Sequence, residues 1–164
     1  MKSSSQKKWF RFTIGKLLLL IAASAIILAA YSQATYSYRQ SRASANVIQA
    51  AGGSVLWSQS SFFRDATFPS IVQVDLQNCR LQDKEYAALG KIPDHFMLII
   101  DSNRFDQETT RQLAKIERLS GLSLEPDEVA ELQIMKFQEQ RPDIIVMVGL
   151  NGSSSYRVYP RLGE

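Results

Sequence analysis

The chain has 164 residues, 45% of them hydrophobic, which allows one modest domain and an appendage. Its single cysteine, Cys79, excludes a disulfide within the chain. The formal charge of +3 averages two unlike parts: no Asp or Glu precedes Asp65, whereas residues 65–164 hold all 16 acids against 11 Lys and Arg, which argues against nucleic acid as a partner.

Residues 1–13 form a basic tail carrying Lys2, Lys7, Lys8 and Arg11. Residues 14–31, IGKLLLLIAASAIILAAY, hold one charge, Lys16, near the start. Eighteen helical residues span about 27 Å, close to the ~30 Å hydrocarbon core of a bilayer. Lys16 can carry its ammonium back to the headgroups. Trp9, Phe10 and Phe12 at one end, and Tyr31, Tyr36 and Tyr38 at the other, fit interfacial anchors. Five Lys and Arg precede the apolar core and none lies within it, so the positive-inside rule puts residues 1–13 in the cytoplasm and the remainder outside. The alternative is a cleaved signal peptide, with Ser32-Gln33-Ala34 offering a cleavage point before Thr35 and leaving a secreted or periplasmic protein.

Residues 32–51 read as a helix, with Tyr31 just before them and Ala34, Tyr38, Ala45, Ile48 and Ala51 falling mostly on one stripe at helical spacing. Gly52-Gly53 should stop that helix. Ser54-Val55-Leu56-Trp57 then reads as a short strand, and residues 58–69 as a loop anchored by Phe62, Phe63 and Phe68. Residues 32–70 together are expected to cap the domain that follows.

From Ile71 onward the chain falls into a ladder with a step of 24 residues. Ile71, Val74, Leu76, Cys79 and Leu81 set the pattern. His95, Leu98, Ile100, Asn103 and Phe105 repeat it, followed by Leu119, Leu122, Leu124, Asp127 and Val129, then Asp143, Val146, Val148, Asn151 and Ser153. The middle pair of each set alternates as a strand does, with its side chains turned inward. Helices are expected over 84–92, 107–118 and about 128–140, capped by Asp83, Asp106 and Asp127. Leu89, Leu113 and Phe137 keep the same 24-residue step, as do Ile92 and Ile116. A fixed period in the twenties marks a stacked solenoid.

The set Ile71-xx-Val74-x-Leu76-xx-Cys79-x-Leu81 resembles the leucine-rich repeat family. The resemblance implies an α/β fold over 71–164, a short solenoid of three to four repeats behind an N-terminal transmembrane helix. It implies parallel strands on a concave face, helices on the convex side, and Cys79, Asn103 and Asn151 bonding inside the turns. His95, Asp143 and Ser153 are poor substitutes for Leu. The layout, with Arg11-Phe12-Thr13, the Leu17–Leu20 run and Gln49–Val55 before the repeats, is similar to short membrane-anchored repeat proteins of planctomycete bacteria.

Such repeats build binding faces and not catalytic pockets. The candidate interaction face consists of strand residues alternating with the core: Asp75, Gln77, Met97, Ile99, Asp101, Ser123, Glu125, Ile145 and Met147. Asp75, Asp101 and Glu125 make an acidic strip, and Met97, Ile99, Ile145 and Met147 an apolar patch. The remaining carboxylate groups read as turn caps and first-turn helix residues, and Cys79 with His95 lacks any nucleophile motif. No catalytic, metal or cofactor-binding residue is assigned. The expected object is a non-enzymatic interaction module, held in the lipid bilayer through 14–31, with an unspecified protein partner. A self-associating structural protein of the envelope is the alternative.

Overall fold

The apolar run and the stretch after it form one α-helix, α1 (Ile14–Ala50), of 37 residues, in a computed structural model. The structure describes residues 14–58, 68–77, 79, 81–125, 131–149 and 156–159. The basic tail, Phe62, Phe63, Asp127, Val129, Asn151 and Ser153 lie outside the described residues. Packing divides the chain into two units, Met1–Thr35 and Tyr36–Glu164.

In the first unit the described residues are helical and almost wholly exposed, with mean hydropathy of 2.2 over the most apolar window. Its hydroxyls are satisfied within the helix. Ser24 Oγ donates to the Leu20 carbonyl and Thr35 Oγ1 to that of Tyr31, each at 2.8 Å. A hydroxyl bonded in this way does not oppose an apolar surrounding. This is a helix long and apolar enough to cross a membrane.

The second unit is a six-stranded sheet with helices. Its strands are β1 (Ser54–Trp57), β2 (Ile71–Asp75), β3 (Phe96–Asp101), β4 (Leu119–Glu125), β5 (Ile145–Gly149) and β6 (Tyr156–Tyr159), in that order across the sheet. The four inner strands are parallel, and β1 and β6 add antiparallel edges. Between the parallel strands stand α2 (Asp83–Leu89), α3 (Gln107–Leu113) and α4 (Glu131–Gln140). The chain is thus mixed α/β with an open sheet.

The register follows the sequence period. Val74 lies opposite Leu98, Leu98 opposite Leu122, and Leu122 opposite Val146, each step being 24 residues. Ile100, Leu124 and Val148 form the next row. Leu76 extends it, since its N–H donates to the Ile99 carbonyl at 2.8 Å. All these side chains are buried. Leu89, Ile92, Leu113, Ile116, Ile134 and Phe137 from the helical segments join them in one core, so the helices cover a single face of the sheet.

The first rung of the ladder differs from expectation. His95 is exposed and Asp143 is exposed, and Phe96 and Ile144, one residue later, are buried in their place. The reason is a bulge on alternate repeats. Trp57 pairs with Ile71 while Leu56 pairs with Gln73, so Val72 is the extra residue. Likewise Phe96 pairs with Leu119 while Met97 pairs with Gly121, leaving Ser120 extra. Ser120 Oγ bonds back to the Phe96 carbonyl at 3.0 Å.

Asp143 has a different task. It holds Arg141 through two hydrogen bonds of 2.9 and 2.8 Å. The guanidinium then donates to the carbonyls of Ile116 at 2.6 Å and Leu119 at 3.0 Å, tying the end of α4 to the connection before β4.

The turn ladder is also incomplete. Cys79 is buried, but Asn103 is exposed and bonds to its own neighbour, Asp101 Oδ1, within a 3₁₀ turn over Ser102–Arg104. Phe105 instead fills the interior, edge-on to Phe137 with centroids 5.7 Å apart. The N-cap of α2 is Gln82, not Asp83, and Glu85 reaches back to accept from the Gln82 N–H at 3.0 Å. Asp106 caps α3 as expected, accepting from the Thr109 N–H at 2.7 Å. Both helices are shorter than their periodic stretches, which end in turns.

The part of α1 in the second unit packs on the sheet's core through Ala45 and Ile48. Ser41, Ser44, Ala45 and Ile48 are buried, whereas Tyr31 of the expected stripe is exposed. Gly52 ends the helix at φ 94°. Gly53 passes so close that a Cβ would lie 2.8 Å from Ile48 Cγ2 and from Leu76 Cδ2. Tyr38 is no free interfacial anchor: it packs against Trp57 and Phe68, each at 6.1 Å between centroids, with Arg42 over its ring at 5.8 Å.

Candidate functional site

A strand sends alternate side chains to opposite faces. With the helices gathered on one face, the residues between the core positions occupy the other. The register brings the expected interaction residues together in rows. Met97, Gly121 and Ile145 form one row with Gln73. Asp75, Ile99, Ser123 and Met147 form the next. Asp101 and Glu125 stand side by side in the third.

The apolar patch is continuous across its small residues. Gly121 leaves a gap into which Met97 leans, its Cγ lying 3.6 Å from where a Cβ would be. Ser123, expected on the surface, is buried at the centre of the sheet, only 3% exposed. Met97, Ile99, Ile145 and Met147 are half-buried.

The two antiparallel edges widen this face beyond what the repeat period indicated. Leu56 of β1 lies opposite Gln73 and is 51% exposed; Val158 of β6 lies opposite Met147 and is 55% exposed. Neither follows from the 24-residue ladder, because neither strand belongs to it. For β6 a signal existed: Tyr156-Arg157-Val158-Tyr159 is rich in residues that favour strands and follows a Gly-Ser turn sequence.

The acidic strip is held by neutral donors. Glu125 accepts from Gln77 Nε2 and from the Tyr156 hydroxyl, both at 2.8 Å. Asp75 Oδ1 accepts from the Gln77 N–H at 3.0 Å, and Asp101 Oδ1 from both nitrogens of Asn103 at 3.0 Å. Gly149 permits this arrangement, since a Cβ there would press on Glu125 Cγ at 3.2 Å. The hydrogen bond to Glu125, and then the charge of that carboxylate, push the Tyr156 phenol above its ordinary range. None of the ion pairs among the described residues involves Asp75, Asp101 or Glu125.

Elsewhere, α3 and α4 flank a cleft of about 270 Å³ lined by Gln107, Thr110, Arg111, Gln133, Lys136 and Gln140. It brings together no pair of carboxylates and no nucleophile with a base. Among the described residues no group of three His, Cys, Asp or Glu is placed to hold a metal ion. Burial pushes the Cys79 thiol up, against the opposing pull of Arg104, so it is a core thiol of low reactivity. Comparison with family models, with curated proteins and with solved structures finds no match.

Proposed function

We propose that this chain is a membrane-anchored, non-enzymatic interaction module whose repeats stack as a short solenoid of the leucine-rich-repeat kind. Its anchor is the apolar part of α1, with the basic residues 1–13 in the cytoplasm and the sheet domain exported. The partner is another protein of the envelope, and it binds the helix-free face of the sheet.

One observation carries the reading: helices seal one face of a parallel sheet whose central rows are in register, and the other face keeps an apolar patch flanked by carboxylates. A sheet needs only one buried face to be stable. An apolar patch on the other face is the ordinary mark of a contact site.

The test is photo-crosslinking in native membranes, with a photoreactive residue at Met147 and, as control, at Glu139 on α4. The expected result is one discrete adduct from Met147 and none from Glu139. Equal labelling from both positions, or no adduct from Met147, contradicts the proposal.

A further inference from the structure

The face just described has one sign of charge, and this bears on what can cover it. Asp101 and Glu125 are register partners on neighbouring parallel strands, which run about 4.8 Å apart. Like charges placed side by side on one face of a sheet oppose its stability. A lysine or arginine at either position would relieve that opposition, yet the outward positions of all six strands hold no Lys, Arg or His. Gln77 and Tyr156 each donate one hydrogen bond to Glu125 without neutralising it. An arrangement that works against the fold, kept on the one face without helices, fits a function supplied from outside.

We propose that this face binds a cationic amphipathic segment of another protein, its apolar side chains on Met97, Ile99 and Met147 and its Lys or Arg residues against Asp75, Asp101 and Glu125. The inference rests on the docking role proposed above and adds the chemistry of the partner. Charge complementarity selects this occupant. A second copy of the chain would set the same three carboxylates against themselves. An anionic lipid surface or a nucleic acid would be repelled in the same way.

The experiment uses the full chain in nanodiscs of uncharged lipid, with a photoreactive residue at Ile99. Two synthetic peptides share one pattern of leucines; the first carries lysines at its polar positions and the second glutamates. The lysine peptide is expected to crosslink at least about tenfold more than the glutamate peptide, and to lose most of that advantage in 0.5 M salt, where screening acts within about 4 Å. Joint replacement Asp75→Asn, Asp101→Asn and Glu125→Gln is expected to erase the preference while an apolar contact remains. Because that variant alters the five hydrogen bonds that these carboxylates accept, a second variant, Glu139→Gln on α4, checks that removing a distant acid leaves the preference intact. Equal labelling by the two peptides, or a preference that survives the triple replacement, overturns the cationic assignment but leaves the docking face standing. Crosslinking of Ile99 to a second copy overturns it as well. Absence of labelling by either peptide, together with no native-membrane adduct from Met147, overturns both readings.

Discussion

The two faces of the one sheet are built from alternating residues of the same strands, yet they obey different rules. On the helix side of the four parallel strands the two central rows are apolar and buried: Val74, Leu98, Leu122 and Val146 in one row, Leu76, Ile100, Leu124 and Val148 in the next. On the open side the corresponding rows mix Asp, Ile, Ser and Met, and no position but Gly121 and Ser123 is buried. The difference shows that stability is set by one face, which leaves the composition of the other free to serve contact.

The sharpest way to break this comparison is to place a charge on each face at adjacent residues of β3. Leu98→Asp puts an unpaired carboxylate in the core and is expected to lower stability by more than about 4 kcal/mol. Ile99→Asp, one residue on, is expected to cost about 1 kcal/mol or less, since its carboxylate reaches water. Denaturant unfolding of the detergent-solubilised chain measures both, and similar losses would refute the assignment of faces.

Arg141→Ala comes next. The side chain joins Asp143 to the part-buried carbonyls of Ile116 and Leu119, so its loss removes a charged donor from each, while the Ile116 carbonyl keeps the Leu119 N–H. A decrease of about 2 kcal/mol is expected from the same unfolding measurement. A neutral result would mean that these bonds add nothing to the link between α4 and β4.

Gly53→Ala probes where the end of α1 meets the sheet core. The added methyl would meet Ile48 and Leu76 at 2.8 Å, and a loss of about 1–2 kcal/mol is expected from overpacking. An unchanged midpoint would show that the end of α1 sits less tightly against Leu76.

The smallest effect concerns the open face. The folded state holds the Tyr156 phenol protonated above its ordinary range, because it donates to Glu125. Its contribution is therefore complete below about pH 10, the ordinary tyrosine value, and is lost as pH rises through the raised pKa. Comparing the alkaline limb of unfolding for the native chain and Tyr156→Phe reads this directly. The variant is expected to lack that component, and coincident alkaline limbs would show that the bond to Glu125 has no stabilising role.

Much of this was legible in the sequence, and the reasons are physical. Core burial demands an apolar residue at each inward strand position, so the 24-residue step of the middle rungs emerges directly as register. The first rung failed at His95 and Asp143 because a bulge moves the inward position by one without changing the repeat length, and a rigid step cannot represent that. Asn103 followed the family pattern in type but not in role, because Asp101 two residues earlier offers a nearer acceptor. The edges were only half legible. Leu56 belonged to an expected strand, but its place on the open face depends on antiparallel pairing with β2, and β6 lay beyond the last repeat. The acidic strip was visible as spacing, whereas its neutral donors, Gln77 and Tyr156, come from 48 and 31 residues away.

The claim beneath all of this is that neighbouring parallel strands are offset by one repeat. Interstrand nuclear Overhauser contacts in the full chain, solubilised in detergent, measure it most directly. The account predicts backbone contacts joining Leu98 to Leu122 and Leu122 to Val146 in parallel arrangement, each 24 residues apart. Contacts in antiparallel order, or a register displaced by one residue through these central rungs, would contradict it.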